Sequence, residues 1–409
     1  MHILLKKADI NPSSDLIISG SKSESNRCLL LKAIFHNLTI KNLSNSDDTH
    51  IMNTALSSNN SLIDVHNAGT VMRFLTAYFA TKVGKKTIIT GSLRMKERPI
   101  SVLVNAINQL GGKITYIEKD GFPPLYIEGQ EIVKSEVFLK ATISSQYISA
   151  LLMIAPSLKN GLTINLEGVI TSLSYIKMTL ALLNEVGIKT SFKSNKIKVF
   201  PYEINNSKTL IVESDWSSAS YFYSIVSLSP IGTKINISSY NKNSLQGDAI
   251  LKDIYNELGV KSEFNNSVLT LKKVNNNLPE TLKLDLSNSP DIAQTIVVSC
   301  LGLKINCVLY GLNTLKIKET DRLIALKNEI KKLGTNIKIS DDSLELKLPK
   351  KIKQNIKIRT YGDHRMAMSF APLVLKTDIC ISDANVVSKS YPNFWNDLKK
   401  IGLNLTIQK

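Results

Sequence analysis

A glycine that ends a predicted helix recurs five times along this 409-residue chain, and the recurrence limits the fold more than any other feature. Successive copies lie 76, 72, 75 and 68 residues apart. Each is followed by alternating apolar and polar residues, as in Val260-Lys-Ser-Glu-Phe264, which predicts a β-hairpin with one buried face. Glycine suits the left-handed residue after a helix because it has no Cβ. The five copies are Gly111, Gly187, Gly259, Gly334 and Gly402.

A second element recurs in phase with the first: a polar loop that begins a strongly apolar helix. Its anchor residues lie 75, 73, 73 and 73 residues apart, whereas the first interval, from Lys22 to Gly69, is only 47 residues. The helices are too apolar for a solvent-facing position. The pattern predicts about six copies of strand, buried helix, strand, surface helix and hairpin, and hence an α/β (or α+β) protein. The later anchors are Gly69, Ser144, Ser217, Pro290 and Asp363.

These helix starts predict the binding of small anions. Free backbone N–H groups and the positive end of the helix dipole attract negative charge at each of them. The scarcity of arginine supports this prediction, because only seven of the 51 Lys and Arg residues are arginine. Six of the seven lie in polar segments beside predicted helix starts, where a planar donor suits carboxylate or phosphate. For any single loop, an N-cap without a ligand explains the polar residues better.

The formal net charge of +17 raises the alternative of a nucleic-acid-binding protein. Such a protein is expected to gather its lysines in one basic stripe with interleaved aromatic residues. Here the lysines are spread along the whole chain, so we expect no nucleic-acid partner. No apolar run reaches the roughly 18 residues of a membrane-spanning helix. We therefore expect no membrane association and, without an export signal, a cytoplasmic location.

Seven polar segments resemble the signature segments of the 5-enolpyruvylshikimate-3-phosphate synthase family. They occur in that family's order and extend the resemblance from about residue 18 to about residue 395. No segment alone is decisive, but seven in one order over one repeat pattern make a specific match. The segments are Gly20-Ser-Lys-Ser-Glu-Ser-Asn-Arg27, Asn67-Ala-Gly-Thr-Val-Met-Arg73, Leu93-Arg-Met-Lys-Glu-Arg-Pro99, Ser144-Ser-Gln146, Lys318-Glu-Thr-Asp-Arg322, Gly362-Asp-His-Arg-Met-Ala-Met368 and Lys389-Ser-Tyr-Pro392.

The resemblance implies two pseudo-symmetric domains, each with three βαβαββ repeats around buried parallel helices, an arrangement also described as an inside-out α/β barrel. It places the active site in the cleft between the domains. In the family the N-terminal strand belongs to the second domain, so we expect the chain to cross near Gly20 and again near Asp215. The expected domains are residues 21–214, on the shikimate 3-phosphate side, and residues 1–20 together with 215–409.

The resemblance also implies the reaction. The enolpyruvyl group of phosphoenolpyruvate is transferred to the 5-hydroxyl of shikimate 3-phosphate through a tetrahedral intermediate, with release of phosphate. The product serves chorismate and aromatic amino-acid biosynthesis. Both substrates carry a phosphate and a carboxylate, in agreement with the anion binding predicted above. The chemistry needs no metal and no cofactor, and the expected protein is a monomer.

By resemblance, two overlapping groups of residues bind the substrates. A glycine at position 69 allows a backbone N–H to approach an oxyanion closely. The residues expected to bind shikimate 3-phosphate are Lys22, Ser23, Arg27, Ser144, Ser145, Ser172, Asp291, Thr314 and Lys318. The residues expected to bind phosphoenolpyruvate are Lys22, Gly69, Arg94, Gln146, Arg322, Arg365 and Lys389.

Proton transfer is needed at two places, because the 5-hydroxyl loses a proton while the C3 methylene of phosphoenolpyruvate gains one and later returns it. Two carboxylates in different settings suit these tasks. By resemblance, Asp291 accepts the hydroxyl proton, Glu319 carries the C3 proton and Lys22 stabilises developing charge. From the residues alone, Asp291 could equally be a helix cap and Glu319 a charge favoured by a helix dipole. His364 is better explained as a structural residue than as an acid or base.

Three positions depart from the family pattern. Thr314 stands where an asparagine often contacts shikimate 3-phosphate, Phe74 replaces a frequent proline, and Asn393 replaces a frequent aspartate. Glycine rather than alanine at position 69 predicts sensitivity to the inhibitor glyphosate, whereas Phe74 beside the same loop leaves that sensitivity open.

The nearest alternative is the sister enzyme that transfers enolpyruvate to UDP-N-acetylglucosamine. That enzyme normally carries a cysteine in a loop of its first-half domain. This chain has no cysteine between residues 29 and 299, and it has the segment Arg94-Met-Lys-Glu-Arg-Pro99, which the sister enzyme lacks. Both features favour the shikimate 3-phosphate enzyme.

Overall fold

The computed structural model describes residues 1–140, 144–168, 170, 172–202, 206–348 and 351–408. The helices are α1 (Lys22–Ile34), α2 (Asp47–Ser57), α3 (Gly69–Ala80), α4 (Leu93–Lys96), α5 (Ser101–Gln109), α6 (Ser145–Ile154), α7 (Leu173–Glu185), α8 (Trp216–Leu228), α9 (Leu251–Glu257), α10 (Ala293–Leu303), α11 (Arg322–Lys332), α12 (His364–Phe370) and α13 (Phe394–Lys400). Short 3₁₀ helices are Ala155–Ser157, Gly247–Ile250, Pro290–Ile292, Asn313–Ile317, Ala371–Leu375 and Ala384–Lys389.

The strands are short and amphipathic for the most part. They are β1 (His2–Leu5), β2 (Ser13–Leu16), β3 (Leu38–Lys41), β4 (Leu62–Asp64), β5 (Lys86–Thr90), β6 (Lys113–Tyr116), β7 (Leu125–Glu128), β8 (Glu136–Lys140), β9 (Leu162–Glu167), β10 (Thr190–Lys193), β11 (Lys196–Val199), β12 (Lys208–Ile211), β13 (Lys234–Ser238), β14 (Val260–Asn265), β15 (Val268–Lys273), β16 (Thr281–Asp285), β17 (Asn306–Tyr310), β18 (Ile337–Ile339), β19 (Leu344–Leu346), β20 (Ile356–Ile358), β21 (Ile379–Ile381) and β22 (Leu405–Gln408).

The chain divides into two compact units. Unit 1 contains Met1–Gly20 and Glu213–Lys409, and unit 2 contains Ser21–Val212. Each unit has its own core of aliphatic and aromatic side chains. Such separate cores are expected for a chain of this length, because a single core rarely grows beyond roughly 250–300 residues.

Unit 2 contains three sheets, and two of them share one plan. Their strand orders are β4-β5-β7-β6 and β10-β11-β9-β8, and in each a parallel pair is extended by an antiparallel hairpin. The third sheet, as far as the structure describes it, has only the parallel strands β3 and β12. The first repeat therefore contributes no hairpin, which explains why its interval is 47 residues where the others are near 73.

Unit 1 contains three four-stranded sheets of the same plan. Their strand orders are β14-β15-β13-β2, β16-β17-β19-β18 and β20-β21-β1-β22. Strand β2 pairs in parallel with β13, and β1 lies antiparallel between β21 and β22. The pairing of His2 with Gln408 places both ends of the chain in one sheet.

Buried helices form the centre of each unit. In unit 2, α3 packs against α1 and α6; in unit 1, α10 packs against α8 and α12. Every residue of α3 and of α12 is buried, and in α8 only Ser217 is partly exposed. The prediction of a mixed α/β protein with buried apolar helices is confirmed.

The glycines that follow the outer helices also adopt the predicted backbone. Gly111, Gly187, Gly259, Gly334 and Gly402 have φ values of 106°, 100°, 79°, 93° and 102°. The prediction of left-handed residues at these five helix ends is therefore confirmed. Within the described ranges, the structure contains no helix with both the length and the apolarity for a membrane span.

Candidate active site

A buried arginine in unit 1 holds three carboxylates together. The Nε atom of Arg322 lies 2.7 Å from Oδ2 of Asp363, and its Nη1 atom lies 2.7 Å from Oδ1 of Asp291. Its Nη2 atom lies 2.9 Å from Oε2 of Glu319. The Arg322 side chain is only 2% exposed, so these pairs are formed away from bulk water and hold the carboxylates firmly.

Three further cations contact the same carboxylates. The Nζ atom of Lys318 lies 3.3 Å from Oδ1 of Asp291, and Nη2 of Arg365 lies 3.5 Å from Oδ2 of Asp291. The Nζ atom of Lys389 lies 3.6 Å from Oε1 of Glu319. We call this group, together with Arg322 and Asp363, the ionic cluster. It unites six residues predicted from the sequence: Asp291, Lys318, Glu319, Arg322, Arg365 and Lys389.

Helix starts bring these side chains together. Arg322 is the first residue of α11, whose N-cap is Asp321. Asp363 is the N-cap of α12 and accepts a hydrogen bond from the backbone N–H of Arg365, at 2.9 Å. Asp291 lies in the 3₁₀ helix that leads into α10, and the N-cap of α10 is Ile292. The alternative interpretation of Asp291 as a helix cap is therefore wrong.

The charges of the cluster fix its ionisation. Burial would raise the pKa of the Asp291 carboxyl, but Lys318, Arg365 and Arg322 outweigh it and hold that pKa well below its usual range. Asp291 is therefore ionised at neutral pH. Burial lowers the pKa of Lys318 although Asp291 attracts its proton. Burial would also lower the pKa of Arg322, but its three carboxylates raise it above its usual value.

Several polar residues of this region were not predicted from the sequence. Asp363 lies in a quoted segment, but nothing in the segment shows that its carboxylate meets Arg322. Ser217 accepts a hydrogen bond from Nη2 of Arg365, at 3.3 Å, and itself donates to the carboxylate of Asp248. The available signal was indirect: Ser217 is a repeat anchor, at the position where other repeats carry residues predicted to bind substrate.

The N-terminus of α1 carries the predicted residues Lys22, Ser23 and Arg27 of unit 2. Ser21 is the N-cap of α1, and α1 begins at Lys22. The Nζ atom of Lys22 lies 3.1 Å from Oδ2 of Asp48, at the start of α2. The Lys22 side chain is 16% exposed, so this ammonium is largely enclosed by protein. Asp48 is a second residue that the sequence did not single out.

Arg27 occupies the space among the central helices of unit 2. Its guanidinium donates to Oγ1 of Thr179 at 2.8 Å, to Oγ of Ser149 at 3.0 Å and to the backbone oxygen of Ser23 at 2.7 Å. It also lies 5.3 Å from the ring centre of Phe74. Burial lowers the pKa of Arg27 to about 10. Within the part of the chain that the structure describes, the hydrogen bonds of this arginine go to neutral groups and not to carboxylates.

Gly69 is the first residue of α3 and lies against an arginine. A Cβ atom at position 69 would lie 2.5 Å from Nη1 of Arg98, which is closer than any ordinary contact. Arg98 is 8% exposed. Nearby, Arg73 donates to the backbone oxygens of Gly69 and Pro99, both at 3.1 Å, and so joins the loop of Arg98 to α3. A side chain at position 69 would therefore require the Arg98 guanidinium to move.

The remaining predicted residues of unit 2 lie at other helix starts. Ser144 is the N-cap of α6, which begins with the buried Ser145. The side chain of Gln146 donates to Oγ1 of Thr70 in α3, at 3.1 Å. Arg94 is more exposed, at 39% of its side chain, and pairs with Glu97 at 3.0 Å.

The surroundings of three further residues give less information about ligand binding. Ser172 is the buried N-cap of α7, with a left-handed φ of 52°, and makes no side-chain capping bond. Oγ1 of Thr314 is buried and has no hydrogen-bond partner within the part of the chain that the structure describes. No described contact joins Thr314 to the ionic cluster. His364 is 1% exposed and lies 3.7 Å from Asp363, which supports its interpretation as a structural residue.

No metal constellation accompanies these groups. Among the described residues, no group of three or more His, Cys, Asp and Glu side chains is placed to hold a metal ion. The carboxylates of the ionic cluster instead share arginine and lysine side chains.

Comparison with known proteins identifies the family of the chain. The family model for EPSP synthase (3-phosphoshikimate 1-carboxyvinyltransferase) matches residues 57–398. A 3-phosphoshikimate 1-carboxyvinyltransferase of Bacteroides fragilis (strain YCH46) is 45% identical over 394 residues, covering 95% of each chain. One of Haemophilus influenzae (strain PittGG) is 35% identical over 421 residues, covering 94% of this chain and 96% of the relative.

Solved structures show the same fold. An EPSP synthase from Acinetobacter baumannii superposes with a TM-score of 0.79 over 100% of both chains, at 18% sequence identity. The enolpyruvyl transferase NikO from Streptomyces tendae gives a TM-score of 0.75 at 11% identity, over 99% of this chain and 98% of that one. At these identities the structures speak for the fold alone, whereas the family model and the curated relatives extend to the sequence. The chain belongs to the EPSP synthase family.

Proposed function

We infer that this chain carries out the reaction of its family: it transfers the enolpyruvyl group of phosphoenolpyruvate to the 5-hydroxyl of shikimate 3-phosphate and releases phosphate. The observation that carries this inference is the ionic cluster. It holds two carboxylates, Asp291 and Glu319, on one buried arginine and places Lys318, Arg365 and Lys389 against them. Such a group can accept protons and can neutralise phosphate and carboxylate at the same place.

Asp291 is proposed as the acceptor of the 5-hydroxyl proton. With its pKa held well below the usual range, it is a weak base in the ligand-free protein. Two of its neutralising partners, Lys318 and Arg365, are also predicted to bind the anionic substrates. When substrate takes over part of their charge, Asp291 loses stabilisation and its pKa rises towards that of an effective base. Substrate binding would thereby activate the base at the moment it is needed.

Glu319 is proposed to carry the proton of the C3 methylene. Arg322 holds its Oε2 atom at 2.9 Å, while its Oε1 atom faces Lys389 at 3.6 Å. One oxygen is thus fixed by the protein, and the other contacts a cation at a longer distance that a substrate could replace. Once protonated, Glu319 would donate that proton to C3 in the first step. It would take that proton back as the carbon–oxygen bond to phosphate breaks.

In unit 2, Lys22, Ser23 and Arg27 are proposed to hold shikimate 3-phosphate with Ser144, Ser145 and Ser172. From unit 1, Asp291, Lys318 and Thr314 complete that set. The start of α1 supports this assignment, because it offers backbone N–H groups beside the enclosed ammonium of Lys22. Lys22 is also proposed to stabilise charge as it develops on the reacting groups.

Phosphoenolpyruvate is proposed to bind Lys22, Gly69, Arg94 and Gln146 of unit 2 and Arg322, Arg365 and Lys389 of unit 1. The contacts of Arg322 and Arg365 suggest that these two arginines have different tasks. Arg322 uses most of its five N–H groups on three carboxylates, so its main task is to fix Asp291 and Glu319. Arg365, at 3.5 Å from Asp291, is better placed to exchange this partner for a substrate anion.

The test is phosphate release by the purified protein from phosphoenolpyruvate, with either shikimate 3-phosphate or UDP-N-acetylglucosamine as the acceptor. We expect release only with shikimate 3-phosphate. Release only with the nucleotide sugar would assign the chain to the other acceptor. A folded protein that releases phosphate with neither would refute the proposed function.

We further propose that residues 21–214 and residues 1–20 with 215–409 are the two domains of a monomeric cytoplasmic enzyme. Light scattering coupled to size-exclusion chromatography should give one chain mass, near 45.3 kDa. A mass of twice that value at assay concentrations would contradict the monomer. Cell fractionation should place the protein in the cytoplasmic fraction.

A further inference from the structure

A directed chain of hydrogen bonds stands behind Arg365. The Nη2 atom of Arg365 lies 3.3 Å from Oγ of Ser217, and this hydroxyl is hydrogen-bonded to Oδ2 of Asp248. A guanidinium can only donate and an ionised carboxylate can only accept. The hydroxyl must therefore accept from Arg365 and donate to Asp248. The orientation of the Ser217 hydroxyl is therefore fixed, with its oxygen towards the guanidinium and its hydrogen towards the carboxylate of Asp248.

The protein holds this chain from two sides. The backbone N–H of Trp216 donates to Oε1 of Gln246 at 3.0 Å, and Nε2 of Gln246 donates to the backbone oxygen of Ser214 at 2.9 Å. Glu213 accepts hydrogen bonds from Nε1 of Trp216 and from the backbone N–H of Asn241, both at 2.8 Å. Gln246, the N-cap of the 3₁₀ helix that carries Asp248, therefore ties this helix to the first turn of α8, which carries Ser217.

Ser217 also divides the charge of Arg365. The same Nη2 atom contacts Oδ2 of Asp291 at 3.5 Å, whereas Arg322 approaches Asp291 to 2.7 Å. This atom of Arg365 is therefore shared between a hydroxyl and a carboxylate. A guanidinium that makes longer contacts loses less interaction energy when it moves to bind a ligand than a guanidinium in a close ion pair does.

The burial of Asp248 in its ionised form lowers the stability of the folded protein. The pKa of Asp248 is raised to about 6, chiefly by burial; Arg365 and the hydrogen bond from Ser217 lower it, whereas Asp291 and, to a smaller degree, Asp215 raise it. These groups face it from the segment before α10, from the N-cap of α8, from α12 and from α8 itself. Because the folded pKa exceeds the value of 3.8 for an exposed aspartate, the ionised form destabilises the folded state above that pH. Residues kept at such a cost are frequent at functional sites.

We propose that Asp248 and Ser217 are positioning residues that orient Arg365 towards an anionic group of phosphoenolpyruvate. This rests on the proposed function, and it adds two residues that act through Arg365 without touching the substrate. The assignment predicts an effect on the affinity for one substrate only. A purely structural role predicts a loss of stability and no selective effect on affinity.

The experiment compares Ser217→Ala, Ser217→Thr and Asp248→Asn with the wild type in phosphate release. We expect the KM for phosphoenolpyruvate to rise about 10- to 100-fold in Ser217→Ala and Asp248→Asn, as for loss of one charge-assisted hydrogen bond. The kcat and the KM for shikimate 3-phosphate should change less than about threefold. Ser217→Thr keeps the hydroxyl and should stay near the wild type. Ser220→Ala is the matched control: this hydroxyl lies one turn further along α8, donates to the backbone oxygen of Ser217 and bonds to Thr295, but has no bond to the Ser217 hydroxyl.

Two further readouts separate positioning from structure. In the wild type, the KM for phosphoenolpyruvate should rise more steeply as the pH falls through about 6 than in Asp248→Asn, because Asp248 becomes protonated there in addition to the phosphate of the substrate, which titrates near the same pH in both proteins. At pH 7.5, Asp248→Asn should unfold at an equal or higher urea concentration, because the variant no longer buries a charge.

An unchanged KM for phosphoenolpyruvate in folded Ser217→Ala and Asp248→Asn would overturn the proposal. So would an equal rise in Ser220→Ala. Failure of the proposed function would be seen in a different place, because the wild type itself would then release no phosphate with shikimate 3-phosphate. That result would also remove the ligand assigned to Arg365.

Discussion

The two units share one repeat and treat their buried arginines in opposite ways. In unit 1, Arg322 is surrounded by three carboxylates within 2.9 Å. In unit 2, Arg27 donates to hydroxyl and backbone oxygens and lies near the ring of Phe74. Neutral partners leave the positive charge of Arg27 uncancelled and suit it to attract an anion. Carboxylate partners cancel the charge of Arg322 and suit it to hold catalytic groups in place.

The central helices of the two units also differ in the charge of the groups between them. In unit 1, the hydroxyl of Thr295 on α10 lies 3.2 Å from that of Ser220 on α8 and 3.1 Å from that of Ser369 on α12. In unit 2, the Arg27 guanidinium lies against the hydroxyls of Ser149 and Thr179. One repeat plan thus accommodates a neutral hydroxyl chain or a buried cation at its centre. The comparison teaches that the fold supplies helix starts, whereas individual side chains decide their charge.

The largest expected effect is on turnover, from the carboxylates of unit 1. Replacing Asp291 by Asn, or Glu319 by Gln, should lower kcat by about 10²- to 10⁴-fold because each removes a proton acceptor. Phosphate release at saturating concentrations of both substrates measures this loss, and circular dichroism checks that the variants are folded. Near-normal turnover in either variant would remove that residue from the mechanism.

The next effect is on stability, and it contrasts the two arginines directly. Arg322→Met leaves three buried carboxylates without their shared cation and should lower the free energy of unfolding by about 3–5 kcal/mol. Arg27→Met removes a buried cation from neutral surroundings and should change it by less than about 1 kcal/mol. Urea denaturation measures both. Equal losses in the two variants would break the contrast between the units.

A third effect concerns the start of α3 in unit 2. Gly69→Ala places a methyl group where the Arg98 guanidinium lies, so Arg98 must move. We expect a rise of about 10- to 100-fold in the KM for phosphoenolpyruvate, as for a misplaced binding group. The double variant Gly69→Ala/Arg98→Met tests the route of the effect. If the two changes add fully, Arg98 does not transmit the effect of position 69.

The smallest effect concerns two lysines that donate to the ends of outer helices. In unit 1, Lys273 is buried and donates to the backbone oxygen of Leu258 at 3.0 Å; in unit 2, the more exposed Lys208 donates to that of Glu185 at 3.3 Å. Burial, with help from Lys376, lowers the pKa of Lys273 to about 8. The unfolded chain then binds the proton more tightly than the folded chain does.

The sign of that difference predicts how stability depends on pH. As the pH rises from about 8 towards 10, the folded state loses a disfavoured charge before the unfolded state does, so the free energy of unfolding rises. Thermal melts across this range should show the rise in the wild type and in Lys208→Met, and should lack it in Lys273→Met. A rise that persists in Lys273→Met would assign it to another group.

The sequence predicted the elements of the fold better than the pairings within the site. The five helix-ending glycines and the buried helices follow from local rules, namely left-handed backbone and apolar periodicity, and both are confirmed. The missing hairpin of the first repeat was visible as a short interval, but its meaning needed the pairing of β3 with β12. The roles assigned to the site residues remain predictions.

Pairings within the ionic cluster depend on directions that the sequence does not contain. The segment that holds Arg365 also holds Asp363, and an aspartate suits a helix start without any distant partner. Only the folded chain shows that Asp363 turns to Arg322, 41 residues earlier. Asp248 was missed for the same reason, because it contacts Ser217 from a 3₁₀ helix 31 residues further along the chain.

The pairing of both chain ends in one sheet has a consequence for synthesis. Within the described part of the chain, strand β1 pairs with residues 379–381 and 405–408, so it must wait until those residues leave the ribosome. At roughly 5–20 residues per second, that wait is about 20–80 seconds. Unit 2 is continuous and can complete its core meanwhile. Strands made late in synthesis thus decide whether β1 folds, and a chain that stops before them would leave β1 exposed to chaperones or proteases.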